Sequence, residues 1–324
     1  NLTMKTSVVI ATYNGEEYIE EQLETIKNQT RTVDEVLVFD DLSQDGTALL
    51  ITNFIEKYAL SNWNLIVNKA NKSYSRNFYE GVSQATGDII FCCDQDDIWN
   101  EKKVENMVAC FEENSKIQVL SGNYSYKIDK SLPVSMQFYY KAENFKNHFN
   151  TTVKSVRFSS KGVFSGGGPG WTLAIRKEYF NKISPFYSPV FSHDGFFNTF
   201  SSMDRVCFKY LGETGEFRRY SGSTSDSSLV HTNEKLNREL LLTKNYLERV
   251  KIAQNYLEQK EEVNVKQQQK ILFKQSKALK ARQNYYLEKN LRSLFRVLYS
   301  WKSFNPVWVV KDVLNYGTLG KSEQ

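Results

Sequence analysis

The fold is decided by the stretch at residues 88–99, which reads Asp88-Ile89-Ile90-Phe91-Cys92-Cys93-Asp94-Gln95-Asp96-Asp97-Ile98-Trp99. It begins with an apolar run of strand length, which is typical of a strand buried on both faces of a parallel sheet. Three carboxylates, those of Asp94, Asp96 and Asp97, then follow within four residues. Because like charges at this spacing repel one another, the pattern predicts a cation among them.

A divalent metal that carries a diphosphate is the cation we expect, because hard cations bind carboxylate and phosphate oxygens. Ligands of open α/β sheets bind outside the carboxyl ends of the strands, which is where these acids fall. Taken alone, the stretch could also be an acidic surface turn after a buried strand. The rest of the chain favours the metal hypothesis.

Strand and helix patterns alternate through the first 95 residues. Short apolar strands are predicted at residues 7–11, 35–39 and 64–67, and helical patterns lie between them. This alternation predicts an α/β fold with a parallel, doubly wound, Rossmann-like sheet and right-handed crossovers.

Polar side chains follow the carboxyl ends of the predicted strands, and they should line the same crevice as the acids. These are Thr12, Asn14, Asp40 and Asp41. The chain has neither a G-x-G-x-x-G after its first strand nor a P-loop sequence. The expected ligand is therefore a mononucleotide held by Asp side chains and a metal.

The alternation breaks after residue 100. A helix is predicted at 101–111, a strand at 117–121, another strand at 171–175 and a helix from Arg176. Residues 123–165 are polar, aromatic and irregular in pattern. They are interpreted either as a wall for the acceptor substrate or as a mobile loop whose aromatic side chains bury against the sheet.

Length and composition are those of a globular protein, with 324 residues, 40% hydrophobic and 24% charged. No apolar run approaches bilayer length and no signal peptide precedes Met4, so a cytoplasmic location is expected. The four cysteines have no metal-ligand spacing. We expect a catalytic domain at 4–228, with a nucleotide-binding half at 4–110 and an acceptor half at 111–228, and a helical region at 229–324.

Positive charge is concentrated near the end of the chain. Residues 263–296 hold nine Lys or Arg and one acid, Glu288, so this segment carries a charge of +8. The net charge of the chain is +5, so the remainder carries −3. Apolar residues at positions 287, 291, 294, 295 and 298 predict an amphipathic helix there. It would either pack on the catalytic body or hold the protein at the anionic inner face of the plasma membrane. No nucleic-acid recognition motif accompanies it, so nucleic acid is not an expected partner.

Asp194 lies among aromatic residues and directly after His193. A carboxylate in an apolar setting takes up a proton more readily, which suits it to receive the proton of a sugar hydroxyl. Alternatively, Asp194 is the N-cap of a following helix. Arg218 and Arg219 are suited to a diphosphate, or they belong to a solvated basic loop. The glycines of 166–170 would let the backbone approach a ligand closely, or they form a tight turn before the next strand.

Three motifs carry a resemblance to family 2 glycosyltransferases. They are Val8-Val9-Ile10-Ala11-Thr12-Tyr13-Asn14-Gly15, Asp40-Asp41-Leu42-Ser43-Gln44-Asp45-Gly46-Thr47 and Asp94-Gln95-Asp96-Asp97-Ile98-Trp99. The resemblance covers residues 5–110 closely and 160–225 more loosely, and the last motif with His193-Asp194 resembles bacterial rhamnosyltransferase-like members. It implies a GT-A fold with a helical C-terminal extension, a nucleoside-diphosphate sugar donor (UDP- or dTDP-linked), Mg²⁺ or Mn²⁺, and inversion at the anomeric carbon. Rhamnose is one candidate sugar.

The resemblance also implies site residues. Those for the nucleotide sugar are Thr12, Tyr13, Asn14, Asp40, Asp41, Arg76, Asp94, Asp96, Arg218 and Arg219. Asp96 and Asp97 would bind the metal, and Asp194 would be the catalytic base. Gly167, Gly168, Trp171 and His193 would face the acceptor, a bacterial surface polysaccharide or lipid-linked glycan. Tyr220 stands where these relatives usually have histidine.

Two other functions remain open. A sugar nucleotidyltransferase also binds nucleotides on an α/β sheet, but it should carry a glycine-rich basic loop after its first strand. This chain has Thr12-Tyr13-Asn14-Gly15 there. A non-catalytic nucleotide-sugar-binding scaffold should lack the clustered acids, and three are present.

Overall fold

The computed structural model describes residues 3–159, 168–221, 232–260, 265–300, 310, 312 and 313. The chain divides into two compact units. The first consists of residues 1–156 and 167–226, and the second of residues 157–166 and 227–324. No helix in the described ranges is both long and apolar enough to cross a membrane.

The first unit is built on a mixed sheet with helices. Its strands are β1 (Thr6–Thr12), β2 (Glu35–Asp40), β3 (Trp63–Val67), β4 (Ile89–Cys93), β5 (Ile98–Trp99), β6 (Val119–Ile128), β7 (Val153–Ser155), β8 (Leu173–Arg176) and β9 (Cys207–Arg219). Its helices are α1 (Ile19–Lys27), α2 (Thr47–Lys57), α3 (Tyr74–Gln84), α4 (Lys103–Glu113), α5 (Val134–Lys146), α6 (Lys177–Ile183) and α7 (His193–Met203).

The sheet runs in the order β3-β2-β1-β4-β8-β6-β9-β5, with β7 on β9. The pairs β3-β2, β2-β1 and β1-β4 are parallel, whereas β8 is antiparallel to both β4 and β6. Every residue of β1 and β4 is buried, and each buried Val, Ile or Phe side chain contributes about 1.5–3 kcal/mol. The predicted α/β fold is confirmed, with parallel pairing among the first four strands of this order and again between β6 and β9.

Two predictions for the second half of this unit are wrong. The stretch 123–165 is not irregular throughout, because β6 continues to Ile128 and α5 and β7 follow. The sequence does not predict β9, because it contains glycines at 212 and 215 and lacks strict alternation of apolar and polar residues. In the structure, β9 pairs with β6 from Val119 to Ile128. The helix expected from Arg176 begins at Lys177, since Arg176 still pairs with Ile89 in the sheet.

The second unit is helical in its described part, with α8 (Thr232–Glu258), α9 (Val265–Glu288) and α10 (Leu291–Tyr299). Arg282 of α9 is fully buried. Its guanidinium donates to Glu239 of α8 at 2.8 Å and to both carboxylate oxygens of Asp312 at 2.8 Å. This buried ion cluster joins segments that are 30 and 43 residues apart in sequence.

Candidate active site

A cavity of about 740 Å³ opens at the carboxyl ends of β1, β2 and β4. The residues that line it come from the loops after these strands and after β3, from α3 and α7, from Gly170 before β8, and from the end of β9. Of the residues predicted for the site, it brings together Thr12, Tyr13, Asn14, Asp41, Asp94, Asp96, His193, Asp194, Arg218 and Arg219. The crevice predicted from strand ends is therefore a real cavity of the first unit.

Asp41 is a lining residue with a well-defined set of hydrogen bonds. Its Oδ1 accepts hydrogen bonds from the backbone N–H of Lys72 at 2.7 Å and from Asn68 Nδ2 at 2.9 Å. Its Oδ2 accepts one from the backbone N–H of Ser73 at 2.9 Å. A carboxylate offers about four acceptor positions. In the described structure, one position on Oδ2 thus stays open for a donor from a ligand.

Asp40 and Arg76 do not line the cavity, unlike the prediction. The carboxylate of Asp40 is fully buried and accepts from the backbone N–H and the hydroxyl of Ser43, so it holds the turn after β2. Arg76 is exposed and pairs with Glu80 at 2.9 Å. The helical period of α3 turns Tyr74 and Asn77, three residues apart, toward the cavity and leaves Arg76 on another face.

Gln95 is a cavity residue that sequence reasoning missed. Its Oε1 accepts from Thr12 Oγ1 and from the backbone N–H of Tyr13, both at 2.8 Å. Its Nε2 donates to the Tyr13 carbonyl at 3.2 Å. These bonds fix the loop after β1 against the acidic loop after β4, so two of the three motifs are joined through one amide side chain.

The acidic loop presents two carboxylates to the cavity, those of Asp94 and Asp96. Burial, together with the charges of Asp96 and Asp194, raises the pKa of Asp94 to about 7. Burial also raises the pKa of Asp96, although the Tyr220 hydroxyl donates to its Oδ2 at 2.8 Å. The acids therefore destabilise one another's charged forms, which is the condition that a bound cation relieves.

Asp97 does not line the cavity, unlike the prediction of a metal ligand. It is 1% exposed, and its Oδ1 accepts from the backbone N–H of Arg218 at 3.1 Å. Its Oδ2 has no hydrogen-bond partner among the described residues. Burial raises its pKa well above the usual range for Asp, and the charges of Asp94 and Asp96 add to this. Asp94 and Asp96, and not Asp97, are therefore the acids of this loop that face the cavity.

The acidic side chains of the cavity are of the right chemical kind to bind a divalent cation, but they are too few to fill its coordination shell. Carboxylate oxygens are suitable ligands for Mg²⁺ or Mn²⁺. However, no group of three or more His, Cys, Asp or Glu side chains within the described ranges is arranged to hold a metal ion. Asp94 and Asp96 would therefore need oxygens from a substrate or from water to complete a coordination shell.

Two guanidinium groups, those of Arg218 and Arg219, also line the cavity. Arg218 pairs with Glu21, donates through Nε to the Asp96 carbonyl at 2.8 Å, and lies 4.5 Å from the ring centroid of Tyr18. Arg219 donates through Nε to the hydroxyl of Tyr140 at 3.0 Å. Both side chains are largely buried at the cavity wall, which makes them rigid positive groups and not parts of a solvated loop.

Asp194 lies in the first turn of α7 and lines the cavity. The N-cap of this helix is Ser192, whose side chain accepts from the backbone N–H of Gly195 at 3.3 Å. The alternative interpretation of Asp194 as the N-cap is therefore wrong. Its carboxylate accepts no hydrogen bond from any described residue, so both oxygens are available to a ligand.

His193 is packed into the cavity wall beside Asp194. It is 5% exposed, and its ring stacks on Phe78 with 3.8 Å between centroids. Burial lowers the pKa of His193 to about 4, so the imidazole is neutral at neutral pH. Gly170 passes so close that a β carbon on it would lie 2.0 Å from His193 Nε2. Glycine is needed at 170 for this close approach.

Two other predicted acceptor residues, Trp171 and Gly168, are not among the residues that line the cavity. Trp171 is fully buried in the hydrophobic core, where it cannot touch a bound substrate. Gly168 precedes the lining residue Gly170 but does not line the cavity itself. Gly167 lies outside the described residues.

Lys103, which sequence reasoning also missed, lies beneath this region. It is fully buried, and its Nζ donates to the Trp171 carbonyl at 2.7 Å and lies 3.7 Å from the centroid of the Trp99 ring. Burial lowers the pKa of Lys103 to about 7. A lysine at the start of an amphipathic helix gives no local signal of burial.

Known proteins resemble this chain in sequence and in fold. The dTDP-rhamnosyl transferase RfbG of Shigella flexneri is 32% identical over 177 residues, which cover 52% of this chain and 54% of that protein. The chain thus matches about half the length of this curated relative. Among solved structures, TarS 1–349 of S. aureus in complex with UDP-GlcNAc superposes with a TM-score of 0.58 at 18% identity, covering 98% of this chain and 91% of TarS 1–349.

A second solved structure is the mannosyltransferase PcManGT of Pyrobaculum calidifontis in complex with GDP-Man and Mn²⁺. Its TM-score is 0.56 at 15% identity, and the match covers 98% of this chain and 87% of that one. These likenesses confirm the predicted GT-A fold. The model of the family described as "Glycosyl transferase family 2" matches residues 7–183, which is more than half of the chain. The protein belongs to glycosyl transferase family 2.

Proposed function

We propose that the protein transfers a sugar from a nucleoside-diphosphate sugar to a hydroxyl group of a bacterial surface glycan, with inversion at the anomeric carbon. The observation that supports the proposal is the set of charged side chains that line one cavity. Asp41, the acids Asp94 and Asp96, the guanidinium groups of Arg218 and Arg219, and Asp194 all line it, and the charge of Asp194 acts on Asp94. These groups suit the nucleobase, the diphosphate and the reacting hydroxyl of such a transfer, in that sequence.

A pyrimidine nucleotide suits the part of the cavity wall formed by Asp41. Uracil and thymine each offer one imide N–H, which one open acceptor position on Asp41 Oδ2 can receive. Guanine offers two adjacent N–H groups and would need both carboxylate oxygens, but Asp41 Oδ1 already accepts two hydrogen bonds. Thr12, Tyr13 and Asn14 would form the adjoining wall. UDP- and dTDP-linked sugars, rhamnose among them, are therefore the proposed donors.

Asp94 and Asp96 would hold a divalent cation, Mg²⁺ or Mn²⁺, together with oxygens of the diphosphate. When bound, this cation supplies positive charge that stabilises the departing diphosphate. Arg218 and Arg219 act at the same place as fixed charges, because their partners hold the guanidinium groups at the wall. Tyr220 orients the carboxylate of Asp96 through its hydrogen bond.

Asp194 is the proposed base. As the acceptor hydroxyl attacks the anomeric carbon, Asp194 takes its proton. The bond between that carbon and the diphosphate oxygen breaks, and its electron pair leaves with the diphosphate. A single displacement of this kind inverts the carbon. Because burial lowers the pKa of His193 to about 4, its imidazole is a weak base, and we assign it to the cavity wall beside Asp194.

The acceptor would be a growing surface polysaccharide or a lipid-linked glycan at the inner face of the plasma membrane. RfbG carries the name of a dTDP-rhamnosyl transferase, which supports a dTDP-linked rhamnose as the sugar that this transfer would move. Peripheral attachment to the membrane would bring the protein and such an acceptor together.

A panel of nucleotide sugars tests the proposal. We expect release of UDP or dTDP from one cognate donor, stimulated by Mn²⁺ or Mg²⁺ and abolished by a chelator. Asp96→Asn should abolish this release and weaken metal-dependent nucleotide binding, whereas Asp40→Asn, at a carboxylate outside the cavity, should still bind nucleotide. Formation of a nucleotide sugar from a sugar phosphate, or full activity of Asp96→Asn in excess chelator, would contradict it.

A further inference from the structure

The outer face of α9 carries a row of lysines. Lys266, Lys270, Lys274, Lys277 and Lys280 are all exposed. At about 100° per residue, they fall within roughly one third of the helix circumference. Phe273 lies in the same sector with 66% of its surface exposed. The only acid in the sequence of α9 is its last residue, Glu288.

Helix α10 has two apolar sides. Leu294 and Val297 are buried, so one side already packs within the protein. A second stripe, formed by Leu291, Phe295 and Tyr299, stays exposed by 54%, 67% and 92%. This stripe spans about 80° of the helix, and the exposed Arg292 and Arg296 lie directly beside it. Packing of α10 within the protein thus leaves a second apolar surface in solvent with positive charge at its border.

We propose that α10 lies in the surface of an anionic lipid bilayer. Leu291, Phe295 and Tyr299 would enter the boundary between headgroups and acyl chains, where apolar helix faces of this kind bind. Arg292 and Arg296 would pair with lipid phosphates, and the lysine row of α9 would add attraction over the Debye length of about 10 Å at 0.1 M salt. The inference goes beyond the proposed transfer reaction, because vesicle binding can be measured without a donor or an acceptor.

Charge and chemistry select lipid over the other occupants of such a surface. A second copy of the chain would bring its own arginines and lysines, and two surfaces of the same sign repel when they meet. A nucleic acid would satisfy the lysines, but it gives an exposed stripe containing Leu291 and Phe295 no apolar phase to enter. An anionic bilayer offers negative charge and an apolar interior at the same surface.

Co-flotation with vesicles tests the inference on the full chain. Vesicles of phosphatidylcholine with phosphatidylglycerol should bind the protein at low salt, and vesicles of phosphatidylcholine alone should bind it far less. The Lys270→Gln, Lys274→Gln, Lys277→Gln triple variant should lower the partition coefficient about 100-fold, since each cation near an anionic surface contributes a factor of about five. The Leu291→Ser, Phe295→Ser double variant should lower it about 10-fold or more.

Matched controls come from the first unit. Lys102, Lys116 and Lys130 are exposed, and their triple replacement by Gln removes the same charge elsewhere. Leu49 is 65% exposed on α2, so Leu49→Ser removes a comparable apolar side chain. Both controls should bind vesicles within about twofold of the unchanged protein. Circular dichroism and thermal unfolding of every variant would establish that the fold is retained.

The inference fails if the protein does not bind anionic vesicles at low salt, or if the α9 and α10 variants bind them as well as the controls. It also fails if RNA competes for the lysine row while Leu291→Ser, Phe295→Ser has no effect on vesicle binding. A concentration-dependent dimer that Phe295→Ser dissociates, without vesicle binding, would assign the stripe to a second copy. Loss of vesicle binding with donor hydrolysis intact would separate this surface from the catalytic cavity.

Discussion

Replacing Gly170 by Ala tests how tightly the cavity wall is built around His193. The added β carbon would lie 2.0 Å from Nε2 and 2.4 Å from Cε1 of His193. Ordinary contact distances are about 3.5–4.0 Å, so the wall must open by about 1.5 Å. The imidazole cannot easily give way, because it stacks on Phe78 at 3.8 Å. Gly170 itself is not in the left-handed backbone region, so the effect measures packing and not backbone strain.

The expected loss in the free energy of unfolding is about 1–3 kcal/mol, the usual effect of overpacking. For a unit of this size it would lower the melting temperature by about 2–12 °C. Gly46→Ala is the matched control, because its new β carbon meets only Glu16 Oε2, the end of an exposed side chain, at 3.0 Å. We expect Gly46→Ala to unfold within about 2 °C of the unchanged protein.

A double-mutant cycle with His193→Ala isolates the contact. Once the imidazole is gone, Gly170→Ala should have almost no effect on stability, which corresponds to a coupling of about 1–3 kcal/mol. Thermal unfolding would measure stability, and calorimetric titration with UDP or dTDP would show whether the cavity still binds nucleotide. If Gly170→Ala has no effect on melting, or the same effect with and without His193, the proposed packing of this wall is refuted.

The remaining predictions concern Asp194, Ser192 and His193. Asp194→Asn should lower sugar transfer by about 10²–10⁴-fold and leave donor affinity near its original value, because a base acts on the acceptor. Transfer assays with donor titrations measure both, and transfer at the original rate would exclude Asp194 as the base. Ser192→Ala should lower the free energy of unfolding by about 1 kcal/mol, because Ser192 is the N-cap of α7, and Asp194→Asn should not. The depressed pKa of His193 means that the unfolded chain binds a proton between about pH 6.5 and pH 4 that the folded chain does not. Stability should therefore fall as the pH drops through this window, and His193→Phe should reduce that fall, which urea unfolding at pH 4.5 and pH 7.5 can measure. An unchanged pH dependence in His193→Phe would contradict the assignment.

The place of the site could be predicted because it depends on local patterns. Apolar runs ending in polar residues locate the carboxyl ends of β1, β2 and β4, and parallel pairing brings those ends to one edge of the sheet. The identity of the contacts could not be predicted in the same way. Asp40 and Asp41 are adjacent and chemically equal, yet one holds a turn and the other faces the cavity. Asp40 is the last residue of β2 and Asp41 follows it. Beyond the end of a strand, side chains no longer alternate regularly between the two faces, so the sequence does not give their directions.

Contacts between segments far apart in the chain could not be predicted from the sequence either. Gln95 meets Tyr13 across 82 residues, and Lys103 meets the Trp171 carbonyl across 68 residues. Neither residue type carries a signal of such a role, since glutamine and lysine occur mostly on surfaces. Arg282 counts as one more charge of a basic segment in the sequence, whereas in the fold Glu239 and Asp312 surround it.

By itself, the sequence determined the α/β class, the crevice at the strand ends and the family, because these depend on periodicity and on short motifs. Only the tertiary structure decided which acids face the cavity, that Ser192 and not Asp194 caps α7, and that Trp171 lies in the core. It likewise decided that Leu294 and Val297 pack inward while Leu291 and Phe295 stay in solvent. These outcomes depend on which segments surround a side chain, and burial is a property of that three-dimensional packing.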